Sequence, residues 1–374
     1  MQRNHAIDIA KGFAIITVVI AHAEMPGVLN RAIYLFHMPL FFIAAGYFFS
    51  KFTAEGPWEF VVKRFKGLYV PFVKWSVFFL LIHNWLFDSG VLNEQYGNWE
   101  GGVTHPYTFH QAAQRLVSIV FSMGGYDEFL CGAYWFFRGL LVASLAFMVL
   151  YVMLIKTRRL GNRPVAVAWA IALGALALGA FKVEEGLKIT TLVQGGYRDI
   201  MGTMFFALGF IYRQWERRLG HSLWVALAGA GVVVGGAYLG WAGMTLKPQL
   251  RDVFTLALTG TAGWLMTYNV SYHLAHRAPS WTWRWLARCG ELSLYIFIWH
   301  VAAYKVVSLL KIWWYGLDMG QIGCHMVIHE HAATDFFWVL YTVAGVGIPV
   351  GGWYMYRALK KRLAWPRIYN NRRC

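Results

Sequence analysis

KGFAIITVVIAH, residues 11–22, is an almost unbroken apolar run with a lysine at one end and a histidine at the other. A helix this apolar has no polar face to offer water, so it belongs in a core or a bilayer. In a bilayer both end groups are costly unless each meets a partner or a polar space. Lys11 and His22 are eleven positions apart, about 1,100° of helical rotation, so they return to within about 20° of one face. The helical rise separates them by roughly 16 Å, about half a hydrocarbon core. Asp8 lies three residues before Lys11, close enough to pair with it as an i,i+3 neighbour.

The rest of the chain supports the bilayer. Of 374 residues, 58% are hydrophobic and only 14% charged, with mean hydropathy +0.44. Soluble domains carry about 25% charged residues. The 19 Trp and 20 Tyr suit rings that line membrane interfaces. No cleavable leader is expected, because the first apolar run is long enough to span and is followed at once by another. The net charge of +16 does not point to nucleic acid, since the basic residues sit in short loops between apolar runs. Four cysteines without a CxxC give no disulfide framework. Cys131 and Cys324 fall in loops expected on one side, and free thiols are the expectation for both.

Segments of about 20 apolar residues mark ten helices, near 6–24, 30–50, 69–87, 134–155, 165–181, 198–213, 222–241, 252–271, 291–310 and 336–356. The fold class is therefore all-α, a polytopic membrane helix bundle. With both termini cytoplasmic, one side holds 22 of the 34 Lys and Arg against four acids, Glu55, Glu59, Glu216 and Glu291. That asymmetry is the positive-inside pattern. No internal repeat divides the chain, so residues 1–374 read as one membrane domain. It has a long outer loop near 88–133 and a basic tail near 357–374. A loop of that length is expected to act as a lid or to lack order.

Two further histidines lie inside apolar runs. His37 precedes Pro39 by two residues in the second helix; the proline should kink the helix and free a carbonyl, and His37 reads as a hydrogen-bonded packing residue. His300 sits near mid-membrane and shares a face with Ser293, seven residues earlier. It is expected to meet a polar cavity or a partner. The stretch CHMVIHEHAATD, residues 324–335, holds His325, His329, Glu330, His331 and Asp335. With no third ligand elsewhere it reads as a solvated cluster, and no metal is expected.

IDIAKGFAIITVVIAH (7–22), FHMPLFFIAAGYFFS (36–50), KRFKGLYVPF (63–72), YWFFRGLLVAS (134–144) and GELSLYIFIWH (290–300) resemble, in order, motifs of the acyltransferase-3 family of membrane O-acyltransferases. The wording of DIAKG and HMPLFF is closest to its fucose 4-O-acetylase-like branch. The resemblance implies that His22 is catalytic, with Lys11 where arginine is more common and Asp8 beside it. Lysine cannot reproduce arginine's two-pronged pairing. It also implies that the basic loop, here Lys63, Arg64 and Lys66, holds the acyl donor, with Gly67 where a second arginine often stands. His37, Arg138, Ser293 and His300 are candidates to line the cavity.

The implied donor is acetyl-CoA or another acyl-CoA from the cytoplasm. The implied acceptor is a glycan hydroxyl outside a bacterial inner membrane, among membrane lipids and beside polysaccharide-biosynthesis machinery. His22 could serve as general base or carry the acyl group itself. The competing class is a transporter or flippase of a glycan or lipid-linked sugar, which internal repeats would favour.

Overall fold

The computed structural model describes residues 4–23, 25–50, 56–97, 105–157, 163–328 and 335–370, without the side chains of Glu128 and residues 363–370. The described chain is helical, with no strand. Among the described residues, six segments are long and apolar enough to cross a membrane: His5–His22, Val28–Tyr47, Pro57–Asp88, Phe129–Ile155, Pro164–Glu184 and Ser293–Tyr315. The other expected segments are also helical. Leu223–Tyr238 is apolar but shorter, while Tyr197–Leu219 and Leu250–Arg277 carry charged residues at their ends. The last helix, Phe337–Asn370, runs on into what reads in sequence as a basic tail.

The helices in chain order are α1 His5–His22, α2 Val28–Tyr34, α3 His37–Tyr47, α4 Pro57–Arg64, α5 Val70–Asp88, α6 Glu94–Gly97, α7 Phe109–Ser122, α8 Glu128–Cys131, α9 Trp135–Ile155, α10 Pro164–Glu184, α11 Tyr197–Leu219, α12 Leu223–Tyr238, α13 Leu250–Arg277, α14 Ser280–Glu291, α15 Ser293–Tyr315 and α16 Phe337–Asn370. Helix α1 sits centrally, against α3, α13, α14, α15 and α16. Its apolar residues are therefore buried nearly all round.

The expected second helix is two helices. Pro39 has no N–H to give the Leu35 carbonyl, and its ring crowds that oxygen. The chain breaks at Leu35 and Phe36. The freed Leu35 oxygen lies 3.3 Å from Thr259 Oγ1, a hydroxyl that sits closer still, at 2.9 Å, to Thr255 O. His37 Nδ1 donates back to Ile33 O at 2.7 Å, capping the broken end.

Among the crossings close enough to need glycine, two involve helices that carry the site. A Cβ on Gly12 would overlap the Leu286 carbonyl, and one on Gly290 would overlap that of Asp8, which locks α1 to α14. Gly46 and Gly209 stand in the same relation to Phe206 and Ile43, locking α3 to α11. Small residues let membrane helices approach where no hydrophobic force draws them together.

Helix α14 corrects the sequence reading, which leaves 272–290 as a connection between helices. It is amphipathic: Leu286, Ala287 and Gly290 are buried, while Trp281, Arg284 and Trp285 are exposed.

The His22 end of the bundle is covered by an ordered cap, and the expected outer loop contains most of it. His83 faces Asp127 Oδ2 at 2.5 Å and His105 O at 2.9 Å, and it stacks on Tyr107 with centroids 3.7 Å apart. Asn93 donates to Gly320 O at 2.7 Å and the Tyr96 hydroxyl to Asp318 at 2.8 Å, tying that loop to residues 318–324. The Tyr96 hydroxyl, with the Gly320 N–H, holds the Asp318 carboxyl below its usual range. From beneath, Lys305 donates to Ile322 O at 2.9 Å and to Cys324 O, and Lys311 pairs with Asp335 at 2.8 Å. Cys131 and Cys324 are both buried, and Cys131 is a free thiol. Residues 98–104 of the loop, and His329, Glu330 and His331, lie outside the described residues.

Candidate active site

Helices α1 and α15 run in the same direction side by side. On α1 the stripe is Lys11, Ile15, Val18, His22; on α15 it is Ser293, Phe297, His300. Tyr304, one turn beyond His300, fixes their register by donating to Val19 O at 2.6 Å.

At the His22 end the two stripes meet. His22 Nδ1 lies 2.9 Å from His300 Nε2. His300 is 1% exposed, whereas His22 keeps part of its surface. The opposite ring nitrogen of His300, Nδ1, faces Phe297 O at 2.8 Å and Ile296 O at 3.2 Å. His37 and His325 also lie near His22. His325 comes from the cap, stacked on Phe129 with centroids 5.1 Å apart.

At the other end a cavity of about 280 Å³ opens between the same stripes. Lys11, Ile15, Ser293, Leu294 and Phe297 line it, joined by Phe41, Ala44, Ala45 and Phe48 of α3, by Phe136, Phe137 and Leu140 of α9, and by Gly67 and Leu68. The last two belong to a π-helical turn, Phe65–Tyr69, between α4 and α5. The walls are apolar apart from Lys11 and Ser293, which sets this cavity off from the paired imidazoles at the other end. Phe297 stands between them. It packs on Tyr134, Phe136 and Phe137 with centroids 5.4–6.1 Å apart, and on His300 at 6.2 Å.

The basic loop divides into unlike parts. Arg64 turns inward, its guanidinium over Phe60 and Phe206 and donating to Ala45 O at 3.4 Å. Lys63 is exposed and pairs with Glu59 at 3.5 Å, and Lys66 is exposed. A Cβ on Gly67 would meet nothing within 4 Å. Asp8 is partly buried, its carbonyl against Gly290. His37 is taken up by the helix break. Arg138 does not line the cavity; it forms an ion pair with Asp199 of α11 at 3.5 Å.

The structure thus brings His22 to His300 and Lys11 to Ser293, and it sets Arg138 apart. Sequence reasoning missed Asp199, Lys305 and Lys311. The two lysines were detectable as charges inside an apolar run, by the rule that singled out Lys11.

The acyltransferase-3 family model, described as an acyltransferase domain, matches residues 4–357. The chain belongs to this family. The match takes in both ends of the site, from Asp8 to His300, and every motif quoted above. It makes the protein a multi-pass membrane acyltransferase. No curated protein and no solved structure matches the chain.

Proposed function

We propose that this acyltransferase moves an acetyl group from cytoplasmic acetyl-CoA to a hydroxyl of a cell-surface or exported glycan on the far side of a bacterial inner membrane. One observation carries the reading: a cationic, otherwise apolar cavity at the basic end of α1 is separated by Phe297 from a paired imidazole at the other end.

The donor end suits acyl-CoA as a substrate. Exposed Lys63 and Lys66 draw in its phosphates, and Lys11 waits at the cavity. The narrow apolar walls accept a thin arm and a small acyl group. The polyanionic part stays in the cytoplasm.

At the far end His22 is the general base. An imidazole suits proton removal from a sugar hydroxyl near neutral pH. The sugar oxygen attacks the thioester carbonyl, its proton passes to His22, the C–S bond breaks, and the proton goes on to the departing CoA sulfur. Phe297 has to swing aside for the thioester to reach His22. The fucose 4-O-acetylase-like wording of α1 and α3 supports acetyl over larger groups.

The test follows label from acetyl-CoA into the glycan fraction of membranes containing the protein. His22→Ala should abolish transfer at unchanged protein level; near-normal labelling in that variant refutes the role of His22. Uptake of an unmodified sugar, with no labelled ester in the wild type, refutes the transferase.

A further inference from the structure

The hydrogen bonds around His300 leave one proton arrangement for the pair. Its Nδ1 faces two carbonyl oxygens, Phe297 O at 2.8 Å and Ile296 O at 3.2 Å, and a carbonyl can only accept. Nδ1 therefore carries the hydrogen. In a neutral ring the other nitrogen, Nε2, then has only a lone pair. That lone pair is what His22 Nδ1 meets at 2.9 Å, so His22 Nδ1 carries a hydrogen and donates it.

The ring geometry agrees. The centroids are 5.2 Å apart and the planes differ by 13°. With the nitrogens 2.9 Å apart, the remainder of the centroid separation is one ring radius on each side. The rings lie edge to edge, nearly in one plane, and the N–H points along the lone pair.

We propose that His300 is a positioning residue that fixes the tautomer of His22, leaving His22 Nε2 bare as the atom that takes the acceptor's proton. The chain from Phe297 carbonyl to His300 to His22 does what a carboxylate does for histidine in a catalytic triad, with a neutral acceptor in its place. No proton crosses His300. When His22 takes the hydroxyl proton on Nε2, its Nδ1–H stays bonded to His300, and the lone pair there stabilises the new positive charge. The proton then leaves from Nε2 to the thiolate sulfur. This inference rests on His22 being the base, but its first test needs no turnover.

The first test is ¹⁵N NMR of the histidine rings in the full-length protein in lipid nanodiscs, with His22 assigned by comparison with His22→Gln. His22 should show a protonated Nδ1 and an unprotonated Nε2 at neutral pH. Protonated Nε2 with bare Nδ1 overturns the inference even if acyl transfer is normal. The second test compares two variants. In His300→Gln a side-chain oxygen can still accept from His22; in His300→Leu nothing can. Transfer of label from acetyl-CoA should be partly restored in the Gln variant and fall on the order of 10²-fold or more in the Leu variant. Size-exclusion profiles establish that both are folded. Equal activity in the two folded variants also overturns it, whereas a wild-type protein with the expected tautomer and no transfer refutes only the proposed function.

Discussion

Arg138 and Asp199 form an ion pair at 3.5 Å between α9 and α11, with side chains only 5% and 2% exposed. Removing one member strands the other charge, a loss on the order of 3–5 kcal/mol, whereas an apolar pair of similar size is close to neutral. Arg138→Met should therefore destabilise strongly, and Arg138→Met with Asp199→Leu should recover most of that loss. Thermal unfolding in detergent reads both. A double variant no more stable than the single one would show that the pair is not the reason for either charge.

The crossing of α1 and α14 makes a sharper demand. Gly12 follows Lys11 directly, and a Cβ there would collide with backbone, which cannot rotate away. Overpacking of this kind costs about 1–3 kcal/mol. It should also displace the stripe that carries Lys11 and His22, so Gly12→Ala is expected to lose both melting temperature and acyl transfer. Gly231→Ala, on α12 and away from the cavity, is the control, since a Cβ there would meet nothing within 4 Å. Matching losses in the two variants would remove the explanation.

What sequence revealed and what it hid follow from the range of each interaction. The shared face of Lys11 and His22 needs only the helical period. Pro39 marks the break at Leu35 because its missing hydrogen bond is local. The amphipathic pattern of α14 was present too, but its short length among basic residues made it read as loop. The His22–His300 contact joins residues 278 apart in the chain, and no local pattern encodes it. The apolar cavity wall is hidden for the same reason, being made where phenylalanines of α3, α9 and α15 converge.

Lys305 shows how a missed residue supports the site. The residue is 9% exposed, and its ammonium sits 4.6 Å over Phe129 and donates to the Ile322 and Cys324 carbonyls. Those bonds hold the segment that carries His325 toward His22. Lys305→Met should remove this anchor and cost about 1–3 kcal/mol, as carbonyls lose a buried donor. Hydrogen exchange should speed up in residues 318–328 and stay slow in α1. Unchanged exchange across the cap would mean that Lys305 is not its anchor.

On the acyl route proposed above, Phe297 is the ring that the thioester has to pass. Its ring lines the Lys11 cavity and also contacts His300, with Tyr134, Phe136 and Phe137 closing the rest of the wall. A larger ring there should obstruct the passage of a thioester while leaving the basic mouth intact. Phe297→Trp is therefore expected to lower kcat at least about tenfold with little change in KM for acetyl-CoA, because the loss falls on the step after donor binding. Phe297→Leu opens the wall, so it should admit longer acyl groups and raise the rate with propionyl-CoA relative to acetyl-CoA. Competition between the two donors measures this directly. If neither substitution changes kcat or the donor ratio, the thioester does not pass Phe297, and the route from Lys11 to His22 must lie on another face of α1.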